Sequence, residues 1–157
     1  NNLRIKREEA KNFIDTYFAR YPGIKEYMDI TVSGAKSDGF VSTMFGRKVH
    51  TPEINAKGPT SGFAWRAAIN APIQGTAADI IKRAMIKIDR FLDQSSLQAK
   101  MLLQVHDELI FEVLDNEVEQ ASKEISLIME KACEPVLKLS VPLIVDSGFG
   151  DSWALAH

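Results

Sequence analysis

Apolar residues recur at three- and four-residue steps through Arg66–Leu92, at Ile73, Ala77, Ile80, Ala84, Ile88 and Phe91. That period predicts an amphipathic helix with one long apolar stripe. Pro72 lies inside the run. Proline lacks an N–H and crowds the preceding turn, so regular helix is expected to begin at Pro72, with Arg66–Ala71 a separate turn. The period changes at Met101–Val113. Met101–Val105 is nearly all apolar and reads as a buried strand. Leu109, Phe111 and Val113 alternate with Glu108, Ile110 and Glu112, which reads as a strand with one face inward. So short a connection between the two runs predicts a tight hairpin, and Asp107 is a residue type that tolerates a turn's unusual backbone.

The remaining elements follow the same reasoning. Lys6 to about Lys36 reads as helix, with Phe13, Tyr17, Tyr21, Ile24 and Met28 stepping along one face as packing and Pro22-Gly23 breaking it. Gly39–Pro52 reads as a hairpin turning at Gly46. Glu53–Ala64 reads as a loop and the best candidate linker, followed by Trp65 as a core anchor. Ser95-Ser96 end the long helix. Asn116–Leu137 is predicted as the last helix, with Val118, Ala121, Ile125, Ile128, Met129 and Ala132 inward. Val141–Val145 is predicted as a third strand beside the central hairpin. The closing Gly148–His157 reads as glycine-punctuated and as the natural end of the polypeptide.

Composition narrows the class. The chain has 157 residues and is 45% hydrophobic, enough for one ordinary core with an appendage. No apolar run reaches the roughly 18 residues that span a membrane, and no signal or lipidation pattern opens the chain. The single cysteine, Cys133, excludes an intrachain disulfide and is expected to be a buried free thiol, which fits a reducing cytoplasm. The net charge of −2 argues weakly against nucleic acid. The distribution changes that picture: residues 41–100 hold nine Lys/Arg against four Asp/Glu, and residues 107–157 hold three Lys against eleven Asp/Glu. The chain opens Asn1-Asn2 without a Met, which suggests a piece of something larger.

Two stretches carry candidate chemistry. Asp107, at the expected hairpin tip between His106 and Glu108, is either a turn former or a carboxylate held on a rigid support for a hard cation. Arg66, Asn70 and Gln74 stand at i, i+4 and i+8 and form one polar column if the helix extends back through Arg66. Guanidinium and carboxamide groups donate hydrogen bonds, and the DNA minor groove offers acceptors on every base pair, so such a column can grip a duplex without reading sequence. A solvated helix face is the plain alternative. Arg47 and Lys48 could meet a phosphate or be a solvated turn. Lys82, Arg83, Lys87 and Arg90, and Glu117, Glu119, Glu124 and Glu130, read as solvated charge.

The chain resembles family A DNA polymerases, the bacterial DNA polymerase I type. The resemblance rests on RAAINAPIQGTAADIIKRAMI at 66–86, QVHDELIFEV at 104–113, YFARYPGIKEYM at 17–28, GRKVHTPEI at 46–54 and W…AH at 153–157, and it spans essentially the whole chain. It implies an α+β fold, long helices packed on a small, mostly antiparallel sheet, with the C-terminal part of the fingers at 1–63 and of the palm at 64–157. It implies a DNA-directed DNA polymerase of replication and repair, a nucleotidyltransferase using two Mg²⁺ ions, with primer–template DNA and deoxynucleoside triphosphates as partners. By the same resemblance Asp107 matches a metal aspartate, Glu108 an assisting carboxylate and His106 a residue near the primer terminus. Arg66, Asn70 and Gln74 match residues that hold primer–template.

The departures are equally informative. The family's other metal aspartate, in an Asp-Tyr-Ser-Gln-Ile-Glu type run, and the helix with the nucleotide-binding Lys and Tyr occur nowhere in residues 1–157. The isolated chain is therefore expected not to polymerise. The competing class is a non-catalytic duplex-binding module. A metal phosphohydrolase would need further ligands, and His50 and His157 lack the spacing for it.

Overall fold

A computed structural model describes residues 6–156. The chain divides into two compact units, Asn1–Ile73 and Gln74–His157. In the first, helix α1 (Arg7–Arg20) and helix α2 (Pro22–Asp38) meet at Tyr21, and Pro22 takes the first helical position, where its missing N–H costs nothing. Gly39, at φ 77°, closes α2 in the left-handed conformation. Strands β1 (Phe40–Ser42) and β2 (Lys48–His50) then pair antiparallel, with Val41 opposite Val49, and Gly46 turns at φ 83°. The unit's core is small: Ala35, Val41, Ile54 and Ala68, with Val49 and Ala71 beside them. The predicted aromatic column does not reach it. No residue of α1 is buried; Tyr17 packs on Phe18 and Tyr21 instead, and Phe13 stays exposed.

Helix α3 runs unbroken from Pro59 to Gln94, with Pro72 inside it. The expected break at Pro72 is absent, and the expected loop ends at Gly58. Two features explain the continuity. Alanines 67, 68 and 71 flank the proline with the best helix-forming residue. Ala68 is also fully buried, and the Tyr27 hydroxyl donates to the Ile69 carbonyl at 2.8 Å, so tertiary contacts hold this turn. Trp65 is 40% exposed rather than a core anchor; its Nε1 donates to the Ile54 carbonyl and Lys36 lies 4.4 Å over its ring.

The second unit is built on the apolar stripe of α3, but only its later part. Ala84 and Ile88 are buried, with Ile80, Phe91 and Leu92 packed beside them, whereas Ile73 and Ala77 are exposed. Strand β3 (Ala99–Val105) pairs antiparallel with β4 (Glu108–Val113), and Leu109, Phe111 and Val113 pack on the same core as predicted. Met101–Val105 is not the buried strand expected: Leu102 and Leu103 are nearly half exposed, and of β3 Ala99 is the residue that packs on the core cluster. Helix α4 (Val118–Glu130) adds Ala121 and Ile125, and Ala132 follows. It ends before Pro135, and turns continue from residue 131.

Three further expectations are corrected. Residues 141–145 join neither sheet. Pro142 can donate no ladder bond, and the segment is tied to α4 instead, by Val145 N–H to Glu130 Oε1 and by the Ser122–Ser147 hydroxyl pair. Glu117 is not simply solvated: its Oε2 accepts from the Gln98 N–H at 2.6 Å. Nor are Arg83 and Lys87. Arg83 Nε donates to the Ala132 carbonyl, and Lys87 Nζ to those of Lys131 and Glu134, so two cations of α3 tie down the carbonyls that follow α4. Gly148 and Gly150 let the closing turn at Trp153–Leu155 fold back, since a Cβ on Gly148 would strike the Ala156 carbonyl.

Cys133 is a buried free thiol. Burial raises its pKa, opposed by the positive charges of Arg83 and Lys87. The raised pKa and the burial both predict that iodoacetamide at pH 8 alkylates Cys133 far more slowly in the folded chain than in urea; mass spectrometry over time reads the difference. Ile88 has no exposed surface, so Ile88→Ala is expected to cost about 2–5 kcal/mol in urea unfolding. Ile73→Ala, at an exposed position, is expected to cost about 0.5 kcal/mol or less.

Candidate metal-binding hairpin and nucleic-acid interface

The turn of the β3–β4 hairpin contains only His106 and Asp107, because Val105 pairs with Glu108. A turn this short needs at least one residue with positive φ to match the twist of the strands. Among the described non-glycine residues that residue is His106, at φ 53°, not Asp107. A left-handed conformation costs an L-residue roughly 1–2 kcal/mol. Gln104 offsets part of it: its Nε2 donates to the His106 carbonyl at 2.8 Å. Gln104 is the one polar residue in Met101–Val105. That was the available signal for its role, and motif reasoning passed over it.

The strands aim the turn. Register slips by one residue at Leu102: Met101 faces Phe111, but Leu103 faces Ile110. Such a bulge bends and twists its strand locally. Leu109 and Phe111 anchor β4 on the core, so the tip projects from a fixed base. His106, Asp107 and Glu108 are all exposed there. The two carboxylates are adjacent hard-oxygen donors, the ligand type that Mg²⁺ takes, with water and phosphate completing the sphere. Among the described residues no three His, Cys, Asp or Glu side chains converge to hold an ion. The tip thus presents two exposed carboxylates and no closed ligand set among the described residues.

Arg66 and Asn70 belong to the first unit and Gln74 opens the second; all three are exposed on α3. Lys48, read as either a phosphate contact or part of a solvated turn, has its Nζ 4.2 Å over the Phe40 ring, and His50 packs edge-on to the same ring. An open groove between Lys87, Arg90, Phe91, Leu127 and Lys131 contains no carboxylate and shares no residue with the hairpin.

The sequence model of DNA polymerase family A matches residues 1–155. This chain belongs to that family. It is 50% identical to DNA polymerase I of Rhizobium leguminosarum over 160 residues, covering 100% of this chain and 16% of the relative. Against DNA polymerase I of Streptococcus pneumoniae serotype 4 it is 51% identical over 154 residues, covering 98% of this chain and 17% of the relative. It therefore spans about a sixth of the length of these relatives. A solved structure, the POL domain of Pol1 from M. smegmatis in complex with DNA primer-template and dNTP, is similar with a TM-score of 0.91 at 42% identity. That likeness covers 99% of this chain and 27% of the solved one, and the α+β architecture is that of part of a family A polymerase domain. No described helix is long and apolar enough to cross a membrane.

The turn geometry carries its own test. His106→Gly removes the Cβ penalty at φ 53° and is expected to stabilise the chain by up to about 1 kcal/mol. Gln104→Ala removes the carbonyl clamp and is expected to cost about 0.5–1 kcal/mol. Urea unfolding reads both; a destabilising His106→Gly would contradict the strain assigned to this turn.

Proposed function

We propose that this chain carries part of the fingers (residues 1–63) and of the palm (64–157) of a cytoplasmic DNA-directed DNA polymerase that extends a primer in replication and repair. The observation that carries the reading is the exposed pair of Asp107, in a two-residue turn braced by Gln104, and Glu108, the first residue of β4, in a chain that belongs to DNA polymerase family A. Asp107, assisted by Glu108, is the residue to hold Mg²⁺. Mg²⁺ held there and at a second ligand set would supply charge stabilisation to phosphoryl transfer. His106, beside Asp107 in the turn, is the residue to meet the primer terminus. Arg66, Asn70 and Gln74 donate hydrogen bonds to minor-groove acceptors and hold primer–template DNA whatever its sequence. The incoming partner is a deoxynucleoside triphosphate.

Residues 1–157 contain no counterpart of the family's other metal aspartate or of its Lys/Tyr helix, so the chain by itself is expected to give no primer extension. Mixed with a separately expressed upstream polymerase segment from a close relative, it is expected to restore metal-dependent extension. Asp107→Ala in the mixture is expected to reduce the rate at least about a hundredfold, as loss of transition-state charge stabilisation does. Restored activity indifferent to Asp107→Ala would remove the site assignment, and extension by the isolated chain would remove the division of ligands between segments.

A further inference from the structure

We propose that the groove between the last turns of α3 and the end of α4 is a docking site for an acidic protein segment with apolar side chains among its carboxylates. The groove is lined by the apolar Phe91, Leu127 and Ile128 and by the cations Lys87, Arg90 and Lys131. Phe91 and Ile128 pack on the buried cluster that holds Ala84, Ile88 and Ile125. The apolar wall is therefore an open edge of the core, and Leu127 stands there 43% exposed. The cations are of two kinds. Lys87 is used by the fold, because its Nζ donates to the Lys131 and Glu134 carbonyls. Arg90 and Lys131 are exposed, and their side chains make no hydrogen bond or ion pair among the described residues.

Charge selects the occupant. Residues 107–157 hold eleven Asp/Glu against three Lys, yet none of the eleven lines the groove and one of the three lysines does. Asp89 and Asp93, which flank Arg90 on α3, do not line it either. Glu130, beside Lys131, accepts instead from the Val145 N–H, and Glu134 meets Lys87 through its carbonyl. Cations next to an apolar surface that excludes water are complementary to carboxylates, and such pairs set the choice of partner. The apolar wall decides between acidic macromolecules. A DNA duplex presents phosphates to a basic surface and keeps its bases stacked inside, so it would leave Phe91, Leu127 and Ile128 in water. A peptide brings both groups, apolar anchors for the wall and carboxylates for Arg90 and Lys131. The groove shares no residue with the hairpin tip or with Arg66, Asn70 and Gln74, so this reading stands apart from the polymerase site.

The test titrates short labelled peptides with the full 157-residue chain and reads fluorescence anisotropy. One peptide has leucines among aspartates, one the same leucines among asparagines, and one the same aspartates among serines. The leucine–aspartate peptide is expected to bind at least about tenfold more tightly than either control, a scale that desolvated charge pairs supply. Arg90→Glu with Lys131→Glu is expected to abolish that preference and to transfer it to a leucine–lysine peptide. Leu127→Asp is expected to weaken the leucine–aspartate peptide about tenfold, as loss of a buried anchor does. All three positions are exposed, so the urea midpoints of these variants are expected to match wild type. Equal affinity for the aspartate and asparagine peptides, or a preference that survives the double reversal, overturns the proposal. Two other occupants overturn it as well. Tighter binding of duplex DNA that the double reversal abolishes makes the groove a phosphate site. Self-association that Leu127→Asp abolishes, without peptide binding, gives the groove to a second copy of the chain.

Discussion

The two-residue turn between Val105 and Glu108 is the constraint on which the candidate chemistry depends. Two antiparallel strands cannot be joined so tightly without a positive φ, and the chain places it on His106. The strain is small against a domain's stability but local, so it must be held by something local. Gln104 does this from the neighbouring strand through the His106 carbonyl. The consequence is chemical. A carboxylate on a long loop would lose conformational freedom on binding an ion, whereas one on a clamped turn has already lost most of it.

That turn is only as rigid as its base. Leu109, Phe111 and Val113 pack against Ala84, Ile88, Ala121 and Ile125, so β4 is seated on α3 and α4 together. The second helix is fixed in turn by the first, because Arg83 and Lys87 donate to the carbonyls that follow α4. These cations are structural ties, and their charge also opposes the effect of burial on Cys133. At the other end of the chain α1 buries nothing. The chain therefore combines one well-packed core with apolar surface such as Phe13, Val141, Ile144 and Phe149 that remains in water.

Local pattern foretold what local pattern controls. The alternation of Leu109, Phe111 and Val113 marked the inward face of β4, and the three- and four-residue steps marked the buried face of α4. Gly46 and Pro22 stand where their backbone preferences put them. The failures arise where tertiary context wins. Pro72 was expected to break α3, but buried Ala68 and the Tyr27–Ile69 bond hold the helix through it. Residues 141–145 have strand composition, yet composition cannot name a pairing partner, and Pro142 weakens any pairing. Leu102's bulge and the left-handed His106 follow from register and closure, which no single residue type announces. For the candidate site, the motif around Asp107 and the spacing of Arg66, Asn70 and Gln74 were legible. The Gln104 clamp needed coordinates.

The central claim is that the hairpin tip presents Asp107 and Glu108 as the place where a divalent ion is held. Titrating the isotopically labelled chain with Mn²⁺, a paramagnetic stand-in for Mg²⁺, tests it directly by the broadening of backbone amide signals. The account predicts broadening centred on residues 106–108 that Mg²⁺ reverses and Asp107→Asn abolishes. Broadening spread evenly over the acidic residues of α4, or unchanged by Asp107→Asn, would contradict it.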